Sequence, residues 1–251
     1  MGRQTGIVRI RGKVGNLTFA KTANGDEVRM STSLTGDKMK RDKRFKRTRE
    51  NWAEFARAGK AARLIRNAFA VATKDISDAR AYTRLVTLAL RVVKSDPTSA
   101  RGERLLQLGE FSNFLDYEFN INQSMRSTLK EQFELLIDRA AGTADISIPE
   151  LIPDVAVAEL EGATHFKISS AVAEIDWTTE DFVLDIAETG EIPYGNQVEA
   201  AQSLNLTFTA GSTKTILVAF GIGFYQEVNG QYYALNDGGR NAMALVGVDH
   251  V

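Results

Sequence analysis

The sequence predicts an α+β fold with an N-terminal β-hairpin and basic arm, a helical middle region and a C-terminal antiparallel β-sandwich. Three observations carry this. Asn24-Gly25 stands between two β-prone runs, apolar residues keep helical spacing over 48–69 and again over about 78–94, and alternation replaces helical spacing from Thr143. The segments that follow are residues 1–47 for the hairpin and arm, 48–142 for the helical region and 143–251 for the sandwich domain.

The first strand pair is expected from Ile7, Val8 and Ile10 through Lys21, returning over Glu27-Val28-Arg29-Met30. Asn-Gly suits the turn because both central positions of a type I′ turn need positive φ. Gly12 and Gly15 suggest a bulge or a close backbone approach. Residues 31–49 are polar and strongly basic, and mutual repulsion should keep them extended. Thr48 then caps a helix whose Trp52, Phe55, Ala56, Gly59, Ala62, Ile65 and Phe69 share one stripe. A second helix runs from about Asp78 to Lys94, with Tyr82, Leu85, Val86, Ala89, Val92 and Val93 inward, and Asp96-Pro97 ends it. A third is expected near 101–108 and a short one over 128–140, with Tyr117-Glu118-Phe119-Asn120-Ile121-Asn122 alternating like a strand. Beyond 143 the candidate strands are 146–148, 155–160, 164–175, 182–186, 202–209, 215–227, 231–235 and 242–248, the seventh entered through Asn229-Gly230. Short strands at such intervals suit an antiparallel sandwich.

With 43% apolar and 25% charged residues over 251 positions, the chain can bury a real core. It has no cysteine, which removes disulfides, thiolate nucleophiles and cysteine metal sites. Charges interrupt every apolar pair after Met1, so no classical signal peptide is read, and no stretch reaches the roughly 18 apolar residues of a membrane span. Cytoplasmic synthesis, with residence in an assembled or released particle, is the expectation.

The charges are sorted by position. Residues 1–70 carry 18 Lys/Arg against 6 Asp/Glu, residues 71–142 carry ten of each, and residues 143–251 carry 3 against 16. Opposed ends attract within a chain, between chains and toward outside polyanions. The densest cationic run is Lys38, Lys40, Arg41, Lys43, Arg44, Lys46, Arg47 and Arg49, flanked by Phe45 and Trp52. It has three readings: phosphate neutralisation with base stacking, a solvated loop, or docking on the acidic half of a neighbouring copy.

No pattern discloses a reaction, and neither an enzyme nor a cofactor is expected. His165 lies in a strand pattern and His250 is penultimate, where disorder is the norm, and neither has a constellation around it. Glu174 and Asp176 fall on one strand face and could pair on a hard cation, but the loop such a site needs is missing, and a solvated acidic face or a surface for a basic partner is the stronger reading. Gly221, Gly223, Gly238 and Gly239 lack the Lys-Ser/Thr of a phosphate loop. Trp177, Tyr194, Tyr225, Tyr232 and Tyr233 could stack on a glycan, though aromatic residues in β domains mostly fill cores or pair across strands.

Gly12-Lys13-Val14-Gly15-Asn16-Leu17-Thr18-Phe19-Ala20-Lys21, followed by Gly25 and Val28-Arg29, resembles the opening of an uncharacterised bacterial protein family with a glycine-rich GKxGN, aromatic, G, VR hairpin. In that family a basic stretch and an aromatic-bearing helix come next, where Phe45 and residues 48–69 stand here. Tyr117-Glu118-Phe119-Asn120 and Gly162-Ala163-Thr164-His165-Phe166 are similar to signatures that precede and lie inside its β domain. The resemblance implies an assembly-type role and no catalytic residues. The expected function is a non-enzymatic structural protein that self-assembles into a homo-oligomeric particle, tube or filament through its arm and sandwich, a plan that suits a virion or phage-like component. The alternative is a nucleic-acid-binding protein using residues 38–66.

Overall fold

Thr22 pairs with Gly25 at the tip of the first hairpin, where Gly25 takes φ +111°, a conformation a side chain would strain. The computed structural model describes residues 2–6, 8–23, 25–30, 35–76, 78–235 and 239–251, so Asn24 and Ile7 of that expected hairpin lie outside the described residues. The chain divides into two compact units, residues 1–52 and 53–251.

The first unit contains β1 (Gly2–Arg3), β2 (Gly12–Val14), β3 (Leu17–Thr22) and β4 (Gly25–Met30), in the antiparallel order β1-β4-β3-β2. After it come α1 (Gly36–Arg41), a 3-10 turn (Lys43–Phe45) and the start of α2 (Lys46–Ala68). The basic segment is therefore helical from 36 onward, not extended. Thr35 caps α1 by accepting the Lys38 N–H, and Asp42 caps the 3-10 turn by accepting the Arg44 N–H. Carboxylates interleaved with the cations remove the repulsion that would have held the segment open. The helix α2 begins at Lys46, two residues before the expected cap at Thr48.

In the second unit α2 and α3 (Ala81–Lys94) lie on one face of a large antiparallel sheet. Trp52, Phe55 and Ala56, expected on the inward stripe of α2, are exposed, and the buried stripe is Ala58, Ala61, Ala62, Leu64, Ile65 and Ala68. Residues 101–108, expected as a helix, form turns and a short 3-10 segment, Leu106–Leu108. Asp96 organises that stretch: its buried carboxylate accepts from the N–H groups of Thr98, Ser99 and Leu105. Gly109 closes against α3, where an added Cβ would overlap the Val92 carbonyl.

Then come α4 (Met125–Thr128), β5 (Glu134–Asp138), β6 (Thr143–Ile148) and α5 (Pro153–Ala156). The helix expected over 128–140 is thus a single turn followed by a strand, and of the strand expected over 155–160 the first two residues close a helical turn started by Pro153, while Val157 forms only an isolated bridge to Leu129. The remaining strands are β7 (His165–Asp176), β8 (Asp181–Glu188), β9 (Ile192–Pro193), β10 (Gln202–Thr207), β11 (Thr215–Val228), β12 (Gln231–Ala234) and β13 (Ala242–Asp249). The large sheet runs β12-β11-β7-β8, with β13 also on β11 and β9 on β7, and the second sheet runs β10-β6-β5. Asn229 and Gly230 both take positive φ at the β11–β12 turn, as a type I′ turn requires.

Alternation along β7 and β11 makes the layers. Phe166, Ile168, Val172, Ile216, Val218, Phe220 and Ile222 pack with Ala144, Ile146, Leu204 and Leu206 of the second sheet, forming the sandwich core. The opposite face presents Ala171, Ala173, Leu217 and Ala219 to the helices. These small residues share one core cluster with Ala58, Ala61, Ala62 and Ala68 of α2. No helix among the described residues is long and apolar enough to cross a membrane.

Candidate functional site

The eight cations of the basic run are sorted by what they touch. Arg44 grips Asp42 through Nε and Nη2, the latter at 2.7 Å, and this guanidinium, with the Arg44 backbone N–H, holds the Asp42 carboxyl down at about 2. Arg47 donates to Glu50 at 3.0 Å and Lys46 lies 3.9 Å from the same carboxylate. Arg49 donates from Nη1 to the Met39 and Asp42 carbonyls, both at 2.9 Å, and so ties the end of α1 to α2. Lys38, Lys40, Arg41 and Lys43 are exposed and form no ion pair with a described residue. Four of the eight thus have structural work, and four are free cationic groups along α1 and the turn after it.

The sheet of the same unit has two unlike faces. Register places Val14, Leu17 and Met30 opposite one another, and Phe19 beside Val28, all on one face. Lys13, Thr18 and Arg29 share the other face with Arg3, Glu27 and Ala20. On the apolar face Val14 is 60% and Met30 74% exposed, and no described residue of 1–52 is buried. A sheet of this size normally needs its apolar face covered. The unit carries 14 Lys/Arg against 5 Asp/Glu, a net of +9, while residues 53–251 carry 17 against 27, a net of −10.

In the second unit, a cavity of about 530 Å³ is lined by Asp116, Glu118, Met125, Arg126, Phe133 and Val246 among others. Residues 117–122, expected as a strand, form none; 116–119 run irregularly along β13: Asp116 and Phe119 donate N–H to Leu245 and Met243 carbonyls, each at 2.9 Å, and Tyr117 O accepts from Leu245 N–H. This places the half-buried Glu118 at the mouth of α4, where its two oxygens accept the Met125 N–H at 3.0 and 3.2 Å. Burial pushes its carboxyl up to about 7, with the Asp116 charge adding to the rise and the Met125 N–H opposing it. Such a group can exchange a proton near neutral pH. Sequence reading passed over it. Its only signal was an acid between two aromatics, Tyr117 and Phe119.

The other singled-out residues are structural. Glu174 is buried, not solvated, and its carboxylate takes Ser212 Oγ at 2.7 Å and Thr209 N–H at 3.1 Å. Lys214 lies 3.8 Å from Glu174 and 4.0 Å from Asp176, so a lysine occupies the place of the cation considered for that pair. Among the described residues no group of three or more His, Cys, Asp or Glu could hold a metal ion. His250 is ordered against expectation: its ring stacks on Phe111 at 3.8 Å, and its nitrogens lie 2.7 Å from Thr215 Oγ1 and 2.9 Å from Gln107 O. His165 packs edge-on against Tyr232 at 4.8 Å, with Glu227 at 3.9 Å. Trp177 donates to Thr215 Oγ1 and Tyr194 to the Ala158 carbonyl, which leaves Tyr232 and Tyr233 as the exposed members of the aromatic set. No family model, curated protein or solved structure matches the chain.

Proposed function

We propose that the protein is a non-enzymatic structural subunit that self-assembles, its N-terminal unit docking on the acidic second unit of another copy. One observation carries the reading: a four-stranded sheet with an open apolar face, no buried residue among those described, and a net charge of +9 against −10 for the rest of the chain. Apolar area supplies attraction and the opposed charges supply direction and encounter rate. Contacts of different surfaces on successive copies close into rings or extend as filaments, consistent with a particle, tube or phage-like component. Sedimentation velocity and negative-stain imaging, at about 50 mM and 500 mM salt, test this. Concentration-dependent assembly that weakens at high salt is expected. A lone 251-residue chain at every concentration and both salts overturns the proposal.

Free cations on α1 and the following turn support a second reading, nucleic-acid binding. Lys38, Lys40, Arg41 and Lys43 are spent on no carboxylate of the described chain. Replacing all four by alanine should lower the slope of log K against log salt by about 3 for single- or double-stranded probes. No binding at low salt disposes of it. The two readings coexist in an assembly that encloses nucleic acid.

A further inference from the structure

We infer that residues 8–14 of one copy add as a β-strand to the open outer edge of β8, residues 181–184, of a second copy. The inference rests on the self-assembly reading and names the two surfaces that meet.

The donor segment is Val8-Arg9-Ile10-Arg11-Gly12-Lys13-Val14, a strict alternation of uncharged and cationic residues with the period of a strand. Only its last three residues are in one, β2, which is an edge of its sheet. Val8 is 80% and Ile10 47% exposed. Val14 closes a two-residue turn against Leu17, so the backbone groups of Val14 and Gly12 point into the sheet. Ile10 is in phase with them, and the Gln4 side chain occupies that inner side, donating to the Ile10 carbonyl at 3.1 Å and accepting its N–H at 2.9 Å. Residues 9–11 are in no strand and Gly12 takes φ +115°; drawn out as a strand in the phase of Lys13, Arg9 and Arg11 would turn their N–H and C=O groups outward. Arg9 already pairs with Asp26 at 3.3 Å, while Arg11 and Lys13 form no ion pair with a described residue.

The acceptor is paired on one side only. Strand β8 lies along β7 from Asp176↔Asp181 to Ser169↔Glu188, and no described strand pairs with its other side. From Asp185 onward β10 shields that side, because Asp185 Oδ2 accepts the Thr207 N–H at 2.8 Å and its hydroxyl at 2.9 Å. Residues 181–184 lie beyond that shield, with Phe182 40% and Val183 53% exposed. The strand has no Lys and no Pro, two common guards of an edge. Phe182 and Leu184 occupy one face and Asp181 and Val183 the other. A strand carrying Val8 and Ile10 beside Phe182 and Leu184 sets Arg11 and Lys13 on the face of Asp181, where opposite charges across strands attract. Two copies of the β8 edge repel each other, as do two copies of the cationic donor. The pairing is therefore head-to-tail, with main-chain bonds for strength and charge for choice of partner.

The absence of cysteine makes the test clean. Copies carrying Arg11→Cys alone are mixed with copies carrying Asp181→Cys alone and gently oxidised; each chain then has a single thiol, so a disulfide must join two copies. A linked dimer is expected in the mixture and not with Arg11→Cys by itself. Independently, Arg11→Asp should weaken association about tenfold and adding Asp181→Arg to the same chain should restore it. Association that persists without the 11–181 link, or an Arg11→Cys sample that links equally well alone, overturns the edge assignment and leaves self-assembly standing. A wild-type chain that stays monomeric at every concentration overturns both.

Discussion

Glu118→Gln tests whether the half-buried carboxyl above α4 opposes folding once ionised. An ordinary glutamate titrates near 4.5, and burial raises Glu118 to about 7. The folded chain therefore holds a proton, between about pH 4.5 and 7, that the unfolded chain has released. Stability from this group is present below pH 4.5, declines as pH rises and is gone above about 7. At about 1.4 kcal/mol per pH unit the full difference is about 3 kcal/mol. The carboxyl borders a cavity open to water and feels Arg126 and Arg84 as well as Asp116, so screening leaves about 1–2 kcal/mol. Glutamine keeps the acceptor for the Met125 N–H and removes the charge. The variant should match the wild type at pH 5 and melt about 3–6 °C higher at pH 8, for a chain of this length. Thermal unfolding followed by circular dichroism at pH 5, 6, 7 and 8 reads the effect. A difference that stays constant across the series, or a variant that melts lower at pH 8, refutes the reasoning.

Two further outcomes follow from the packing. Phe220 is fully buried with its ring 4.4 Å from Phe133, so Phe220→Ala should cost about 3–5 kcal/mol in urea unfolding; a loss below about 1 kcal/mol would contradict its central place in the sandwich. Arg84 holds the Asp78 carboxyl at about 2, helped by the Ile121 and Arg80 N–H groups, so the stability it contributes is present above about pH 4 and lost as pH falls toward 2. Asp78→Asn should cost about 2 kcal/mol at pH 7, and acid titration should bring variant and wild type together near pH 2; a gap that persists there argues against the ion pair.

The strands of the sandwich were legible because their signal is local and redundant. β7 and β11 are 12 and 14 residues long, β11 carries a near-continuous apolar run buried on both faces, and Asn229-Gly230 fixes the turn between β11 and β12. Where the signal is short it fails. Leu135-Leu136-Ile137 is a three-residue apolar run that suits helix and strand alike, and pairing with β6 decides it. Trp52 and Phe55 have helical spacing and large apolar area, yet they are exposed and the buried stripe of α2 is Ala58, Ala61, Ala62, Leu64, Ile65 and Ala68. Side-chain size predicted burial wrongly there, since the two aromatics lie exposed in the first half of the helix.

The candidate site was legible as a charge total and not as an arrangement. Counting gives eight cations between 38 and 49 but cannot show that Asp42 and Glu50 occupy three of them, or that Arg49 spends its guanidinium on two carbonyls. The repulsion that should have kept the segment extended is cancelled by the acids placed inside it. The same local neutralisation would decide which cations matter in the proposed association. A guanidinium already paired with a carboxylate has little left to offer an outside partner, whereas Lys38, Lys40, Arg41 and Lys43, and Arg11 and Lys13 of the hairpin, give up only hydration when a new counter-charge arrives. Those free groups stand around a sheet whose apolar face is open. In the proposed assembly electrostatics alone would bring copies together loosely and in many orientations; apolar alternation along residues 8–14 would narrow the contact to one register.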